Sequence, residues 1–284
     1  MQQEKYIKNN TIFFKKEILY KYSLFRENVV FITSNRLEEN IKALQNEDDI
    51  NTIRLTDDYK LDHLDFLKNY DFSKIRSINI LSDYVKNIDG IYSLPHLEEI
   101  TSTNQNIDYT FFPNLRRIGA ELSDFSYETL ADLTTLEDVS ISNNFKERDI
   151  TIFSKNEGLR FLMLRGSKIT SLKGLENFKK LEALHLFHNK YITSLEGIVE
   201  EHNNSLKDVS IYVAPKLFYV NDYLSKLSNL EHLELNCKKV DSLMFLNNLT
   251  KLNLCSIHNK VIQVEDGNKT PLIEALKRTG GKIW

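Results

Sequence analysis

Residues 159–189, LRFLMLRGSKITSLKGLENFKKLEALHLFHN, state one pattern twice. Leu159, Leu162 and Leu164 return 22 residues later as Leu181, Leu184 and Leu186. Each copy then runs on through Ile-Thr-Ser-Leu-x-Gly, at 169–174 and 192–197. Self-similarity at a fixed short period is the signature of a solenoid, in which each unit buries its apolar face against its neighbours. The apolar–x–apolar centre of the unit reads as a short strand. Side chains alternate along a strand, so Leu162 and Leu164 point one way while Phe161, Met163 and Arg165 point the other.

The phase extends in both directions. Leading apolar residues fall at Ile50, Ile75, Leu97, Leu115, Leu136, Leu159, Leu181, Leu206, Leu230 and Leu249, in steps of 18 to 25 residues. Two more apolar positions follow in nearly every copy, as in Ile53/Leu55, Ile78/Ile80 and Leu233/Leu235. Two copies are poorer, because Ile100 is followed by Ser102 and Ile118 by Ala120. Over about residues 50–260 this resembles the leucine-rich-repeat family, nearest its short-repeat bacterial (internalin-like) branch. The resemblance implies an α/β solenoid: a leucine-rich-repeat horseshoe of about ten strands, with a parallel concave sheet, capped at both ends. It also implies an asparagine ladder, matched at Asn144 and Asn189. Asp83, Gln105, Ser123, Ser167, Ala214 and Lys238 stand in its place elsewhere.

Units stacked ~4.8 Å apart make a continuous parallel sheet over a shared core. Return segments such as Ile169, Leu172, Leu175 and Phe178 supply the opposite wall. Residues 1–49 lie outside the repeat phase and are expected to form an N-terminal α/β cap. Within them 29–32 read as a strand, Asn35 with Glu38 as a capping-box helix start, and Leu37, Ile41 and Leu44 as one helical face. Five aromatics lie among lysines in 12–25; they read as an amphipathic cap rather than a membrane or RNA arm, and fit a helix or a hairpin equally. Residues 50–262 are the repeats, and 263–284 an expected C-terminal helical cap. Thr270 would be its N-cap, Pro271 its first residue and Gly280 its stop, with Lys277 and Arg278 in the last turn. Leu272, Ile273 and Leu276 would face the last strand, with Ile283 and Trp284 as a lid. With both ends capped, the chain reads as one complete domain.

Composition excludes several classes. The formal net charge of -3 argues against binding nucleic acid through bulk charge. The N-terminus has no apolar stretch of the kind a signal peptide needs, and no apolar run approaches the ~20 residues of a membrane span. Two cysteines make no disulfide framework. The expectation is a cytoplasmic monomer with neither a membrane nor a nucleic acid as partner. Motifs for chemistry are scarce: there is no phosphate-binding glycine loop, Cys-x-x-Cys pair or His-Glu-x-x-His. Cys255 with His258 lacks an orienting carboxylate, and His185, His188 and His232 are spread too widely over the strands for zinc. No enzymatic activity, cofactor or metal is expected.

Two surface patterns remain. The residue after each leading apolar position alternates in sign over eight copies: Arg76, Glu98, Arg116, Glu137, Arg160, Glu182, Lys207, Glu231. Stacking makes these neighbours, so they read as a ladder that pins register. Outward strand positions are small and polar in the early copies (Asn79, Thr101, Thr103, Ser140, Ser142) and then change character. Phe161, Met163 and Arg165 are followed by His185, Phe187 and His188, then by Tyr212 and Val213. Aromatic, Met and Arg side chains are enriched at interface centres, so these eight are the candidate partner-binding residues. The resemblance implies a non-enzymatic module that binds another protein, such as an inhibitor or immunity-type partner of a bacterial protein. The alternative is an enzyme or nucleotide-binding regulator with its site in the N-terminal 49 residues.

Overall fold

The structure is a computed structural model, and it describes residues 4–8, 11–15, 28–103, 106–257 and 263–279. It divides into two compact units, Met1–Asp138 and Val139–Trp284. In the first, β1 (Glu4–Lys8) and β2 (Thr11–Lys15) form an antiparallel hairpin, and β2 runs antiparallel to β3 (Val29–Ile32). The helix α1 (Leu37–Asn46) then crosses to β4 (Thr52–Leu55). From β3 onward the strands are parallel, through β5 (Ser77–Ile80), β6 (Glu99–Thr103) and β7 (Arg117–Glu121), which leads into α2 (Asp124–Leu130).

The division falls at the start of β8 (Asp138–Ser142). The second unit continues with β9 (Phe161–Arg165), β10 (Ala183–Phe187), β11 (Asp208–Tyr212), the single turn α3 (Asn221–Leu224) and β12 (His232–Leu235). Then come β13 (Lys239–Val240), β14 (Leu254–Ile257), β15 (Gln263–Val264) and α4 (Thr270–Thr279). Strands β9 to β12 are parallel in order, with β14 beside β12. No described helix is long and apolar enough to cross a membrane.

Register makes the repeat physical. Leu162, Leu184, Val209, Leu233 and Cys255 form one row across the sheet, and Leu164, Leu186, Ile211, Leu235 and Ile257 the next. All ten are buried. Behind them the return segments contribute Ile169, Leu172, Leu175 and Phe178, also buried, with the 3₁₀ turn Leu175–Asn177 reversing the chain. The glycines of the two central copies are required there. Gly174 has φ 100° and Gly197 φ 112°, and a Cβ on Gly197 would sit 2.0 Å from the Leu172 carbonyl oxygen.

Asn189 performs the ladder role. Its Nδ2 donates to Leu164 O at 2.9 Å and its Oδ1 accepts from Ser167 N at 2.9 Å, all buried. Asn144 is exposed and left-handed (φ 47°), so that copy does not bury the aligned side chain. In the first unit Ser82, not its neighbour Asp83, takes the buried place and donates to Tyr59 O at 2.6 Å.

At the termini one open alternative is resolved in part and two expectations change. Thr11–Lys15 is a hairpin strand, while 16–25 lie outside the described residues. Asn35 and Glu38 form no capping box: a 3₁₀ turn, Ser34–Arg36, precedes α1, whose N-cap Arg36 makes no side-chain cap. Asn40 instead reaches back from inside the helix and accepts from Thr33 N at 3.0 Å. On α4, Leu272 and Leu276 are buried as expected, but Ile273 is exposed and Ala275 takes the inward place. The turn before α4 is held by Asn268, whose Oδ1 accepts from Thr270 N at 3.1 Å. Arg278 ties the last turn to Leu249 O at 3.0 Å. Gly280, Ile283 and Trp284 lie outside the described residues.

Candidate functional site

The leucine rows have a counterpart on the other face of the second unit's sheet. Register places Phe161, Ala183, Asp208 and His232 in one row. Met163, His185, Ser210 and Glu234 form the next, and Arg165, Phe187 and Tyr212 the third. The eight candidate residues therefore lie together on three neighbouring strands and the turns that end them. They do not form one row of aromatics. Phe187 and Tyr212 are partners in the third row, whereas Phe161 faces the small Ala183.

Burial separates them further. Phe161 is only 6% exposed, its ring edge-to-face with His185 at a centroid distance of 5.2 Å. His185 in turn meets Phe187 edge-to-face at 5.9 Å, and His188 meets Tyr212 in the same way at 5.9 Å. Met163, His185, Phe187, Tyr212 and Val213 are half-buried; Arg165 and His188 are exposed. Phe161 thus supports the surface from beneath, and Phe187, Tyr212, His188 and Arg165 present it.

Sequence reasoning missed Asp208, a carboxylate between two histidines. Its Oδ1 lies 3.3 Å from His185 Nε2 and its Oδ2 3.8 Å from His232 Nδ1. The His185 contact is off the line a hydrogen bond needs. Among the described residues no group of three or more His, Cys, Asp or Glu is placed to hold a metal ion.

Two of the surface side chains stand on unusual backbone. Each strand from β8 to β11 ends in a left-handed residue: Asn143 (φ 56°), Gly166 (φ 65°), His188 (φ 56°) and Val213 (φ 59°). Asn and Gly suit that conformation; a β-branched Val does not. Strained residues of this kind cluster at functional sites.

Elsewhere the chemistry is quiet. Burial pushes the Cys255 thiol up to about 11 and the Cys237 thiol up to about 12, so neither supplies a thiolate near neutral pH. His258 lies outside the described residues. In the first unit the outward Ser77, Asn79 and Glu99 are fully buried. Asn79 Oδ1 accepts from Arg54 Nε at 3.1 Å and Nη2 at 3.0 Å. The cavity at the start of α1 includes Asn40, Arg36, Asp58 and Lys60 in its lining, and Ser34 Oγ there already accepts from Lys60 N at 2.6 Å. The sign alternation along the strand starts produces ion pairs: Arg76 with Glu98 at 3.6 Å, Arg116 with Glu137, and Arg160 Nε with Glu182 Oε1 at 2.8 Å. Lys207 turns instead to Asn229 O at 3.4 Å.

No family model matches the chain, and no curated protein does. Among solved structures it is similar to an internalin from Listeria monocytogenes, at 13% identity and a TM-score of 0.56. That match covers 89% of this chain and 86% of the internalin chain. A leucine-rich-repeat protein of Leptospira interrogans also matches, at 13% identity over 86% of this chain and 98% of that one, with a TM-score of 0.27, too low to bear on the fold. The sheet of stacked parallel strands, the buried leucine rows and the likeness to the internalin agree: the chain folds as a leucine-rich-repeat α/β solenoid.

Proposed function

We propose that the protein is a non-enzymatic module that binds another protein through the outer face of β9 to β11. The observation that carries this reading is the row Arg165–Phe187–Tyr212, half-buried to exposed, standing on a sheet whose core is already filled by leucines behind it. Interfaces concentrate such residues at their centres. The left-handed Val213 and His188 at its edge fit the same reading, since a glycine or asparagine there would relieve the backbone and remove the side chain. An inhibitor or immunity-type partner of a bacterial protein, acting as a cytoplasmic monomer, is the form we propose. Cys237 and Cys255 are buried and are not joined in a disulfide, which suits a reducing compartment.

Photo-crosslinking tests it. With p-benzoylphenylalanine at position 187 or 212 of the full chain, one protein should crosslink from cell lysate saturably. The same amino acid at exposed Phe111 or Tyr70 should not capture it. Equal labelling from all four positions would overturn the assignment.

A further inference from the structure

The turns that follow β9 to β12 each carry an exposed lysine at a matching place: Lys168 after β9, Lys190 after β10, Lys216 after β11 and Lys238 after β12. The turns stack as the strands do, because Gly166 N donates to Phe187 O at 2.8 Å, His188 N to Tyr212 O at 2.8 Å and Ala214 N to Asn236 O at 3.0 Å. Successive lysines therefore belong to neighbouring repeats, ~4.8 Å apart in backbone. Segments 165–168, 187–191, 212–216 and 236–239 hold Arg165, those four lysines and Lys239, and no Asp or Glu. Lys239 pairs with Glu265; among the described residues the other four lysines form no ion pair.

The two ends of the same strands thus differ. At the starts, signs alternate and Arg160 pairs with Glu182. At the ends, Lys168, Lys190, Lys216 and Lys238 repeat one sign with no carboxylate in the turns themselves, an arrangement that repels itself and that an external anion relieves. The row Arg165–Phe187–Tyr212 lies directly beside this rim.

We infer that the lysine rim docks an acidic segment of the protein partner, whose apolar side chains rest on Phe187 and Tyr212; this builds on the reading above. Single-stranded nucleic acid, the other polyanion of suitable charge, needs open ring faces on which bases stack. Here Lys216 Nζ lies 5.4 Å from the Tyr191 ring centroid and Lys239 Nζ 5.1 Å from that of Phe218, while His188 packs against Tyr212. The rings of the rim are already engaged, which favours an acidic peptide.

The test uses the full chain and three fluorescein-labelled probes: a Glu-rich peptide with two central Phe, its Lys-rich counterpart, and oligo(dT) of matched length. Anisotropy is read at about 50 mM and about 300 mM NaCl, because such contacts are screened. The acidic peptide should bind, and weaken at the higher salt. Reversing the rim (Lys168→Glu, Lys190→Glu, Lys216→Glu and Lys238→Glu together) should weaken it roughly tenfold or more, and the same four positions changed to Gln should weaken it less. Reversing Lys155, Lys179, Lys180 and Lys251, an equal change in net charge placed before the strands, should leave affinity within about twofold. Loss on rim reversal with no effect of Phe187→Ser/Tyr212→Ser would keep the rim and sink the outer-face reading. No peptide binding, equal loss in both charge-reversed proteins, or tighter binding of oligo(dT) would overturn the rim itself.

Discussion

Phe187 stands in register with Tyr212 on the outer face of the sheet, and both remain half-buried, whereas Phe161 stands against Ala183 and is covered by His185. The aromatics of one surface thus divide into two that present it and one that supports it. Phe161→Ser should lower stability by roughly 2 kcal/mol or more, as large-to-small changes at buried positions do. Phe187→Ser and Tyr212→Ser should each stay near the ~0.5 kcal/mol typical of surface changes. Thermal melts of the three variants decide it; equal losses would contradict this division.

Val213 holds a left-handed φ of 59° where β8 is followed by Asn143 at 56°. Asn adopts this conformation at little cost and Val does not. Val213→Asn should therefore raise stability by about 1 kcal/mol while weakening partner capture. A drop in melting temperature would mean that the Val213 side chain contributes more by packing than its backbone costs.

His202 is fully buried, its Nδ1 accepting from Val199 N at 3.1 Å and its Nε2–H donating to Leu175 O at 3.0 Å. Burial is the main cause that holds its pKa below the usual histidine value. The unfolded chain then binds a proton that the folded one refuses. Stability is present above about pH 6.5 and is lost as pH falls from there toward the depressed folded value. Chemical denaturation between pH 7.5 and 5 should show this loss, and His202→Gln should reduce the slope. A slope unchanged by the substitution would assign the pH dependence to other groups.

Much of this was legible in the sequence because it follows from alternation. The spacing of Leu159, Leu162 and Leu164 gave the strand, and its parity placed Phe161, Met163 and Arg165 on the other face. Depth was not legible. Phe161 is covered because Ala183 is small and His185 leans over it, and neither fact lies in residues 159–165. Asp208 escaped notice because it becomes central only when β10, β11 and β12 align it between His185 and His232. His202 is a polar residue in a return segment, and its burial rests on Val199 N three residues back and on Leu175 O from the preceding repeat, a partner the local sequence does not reveal. At the helix start, Asn35 and Glu38 matched the capping spacing, but the 3₁₀ turn Ser34–Arg36 displaced the register.

Arg160 and Glu182 join adjacent repeats by an ion pair whose side chains are 51% and 21% exposed. A pair this exposed contributes at most about 1 kcal/mol. Arg160→Glu places like charges beside each other, so it should destabilise more than Arg160→Ala, with both differences small and shrinking at high salt. Identical melts for the two variants would show that the pair contributes nothing to holding adjacent repeats in register.

The most direct measurement is capture of the crosslinked partner by purified wild-type protein and by Phe187→Ser/Tyr212→Ser, with melting temperatures taken in parallel. Central aromatics of an interface typically cost ~2 kcal/mol or more each when truncated, so the double variant should bind at least roughly 30-fold more weakly. Its melting temperature should stay close to that of the wild type. Full-strength capture by the folded double variant would contradict the assignment of the outer face of β9 to β11 as the binding surface.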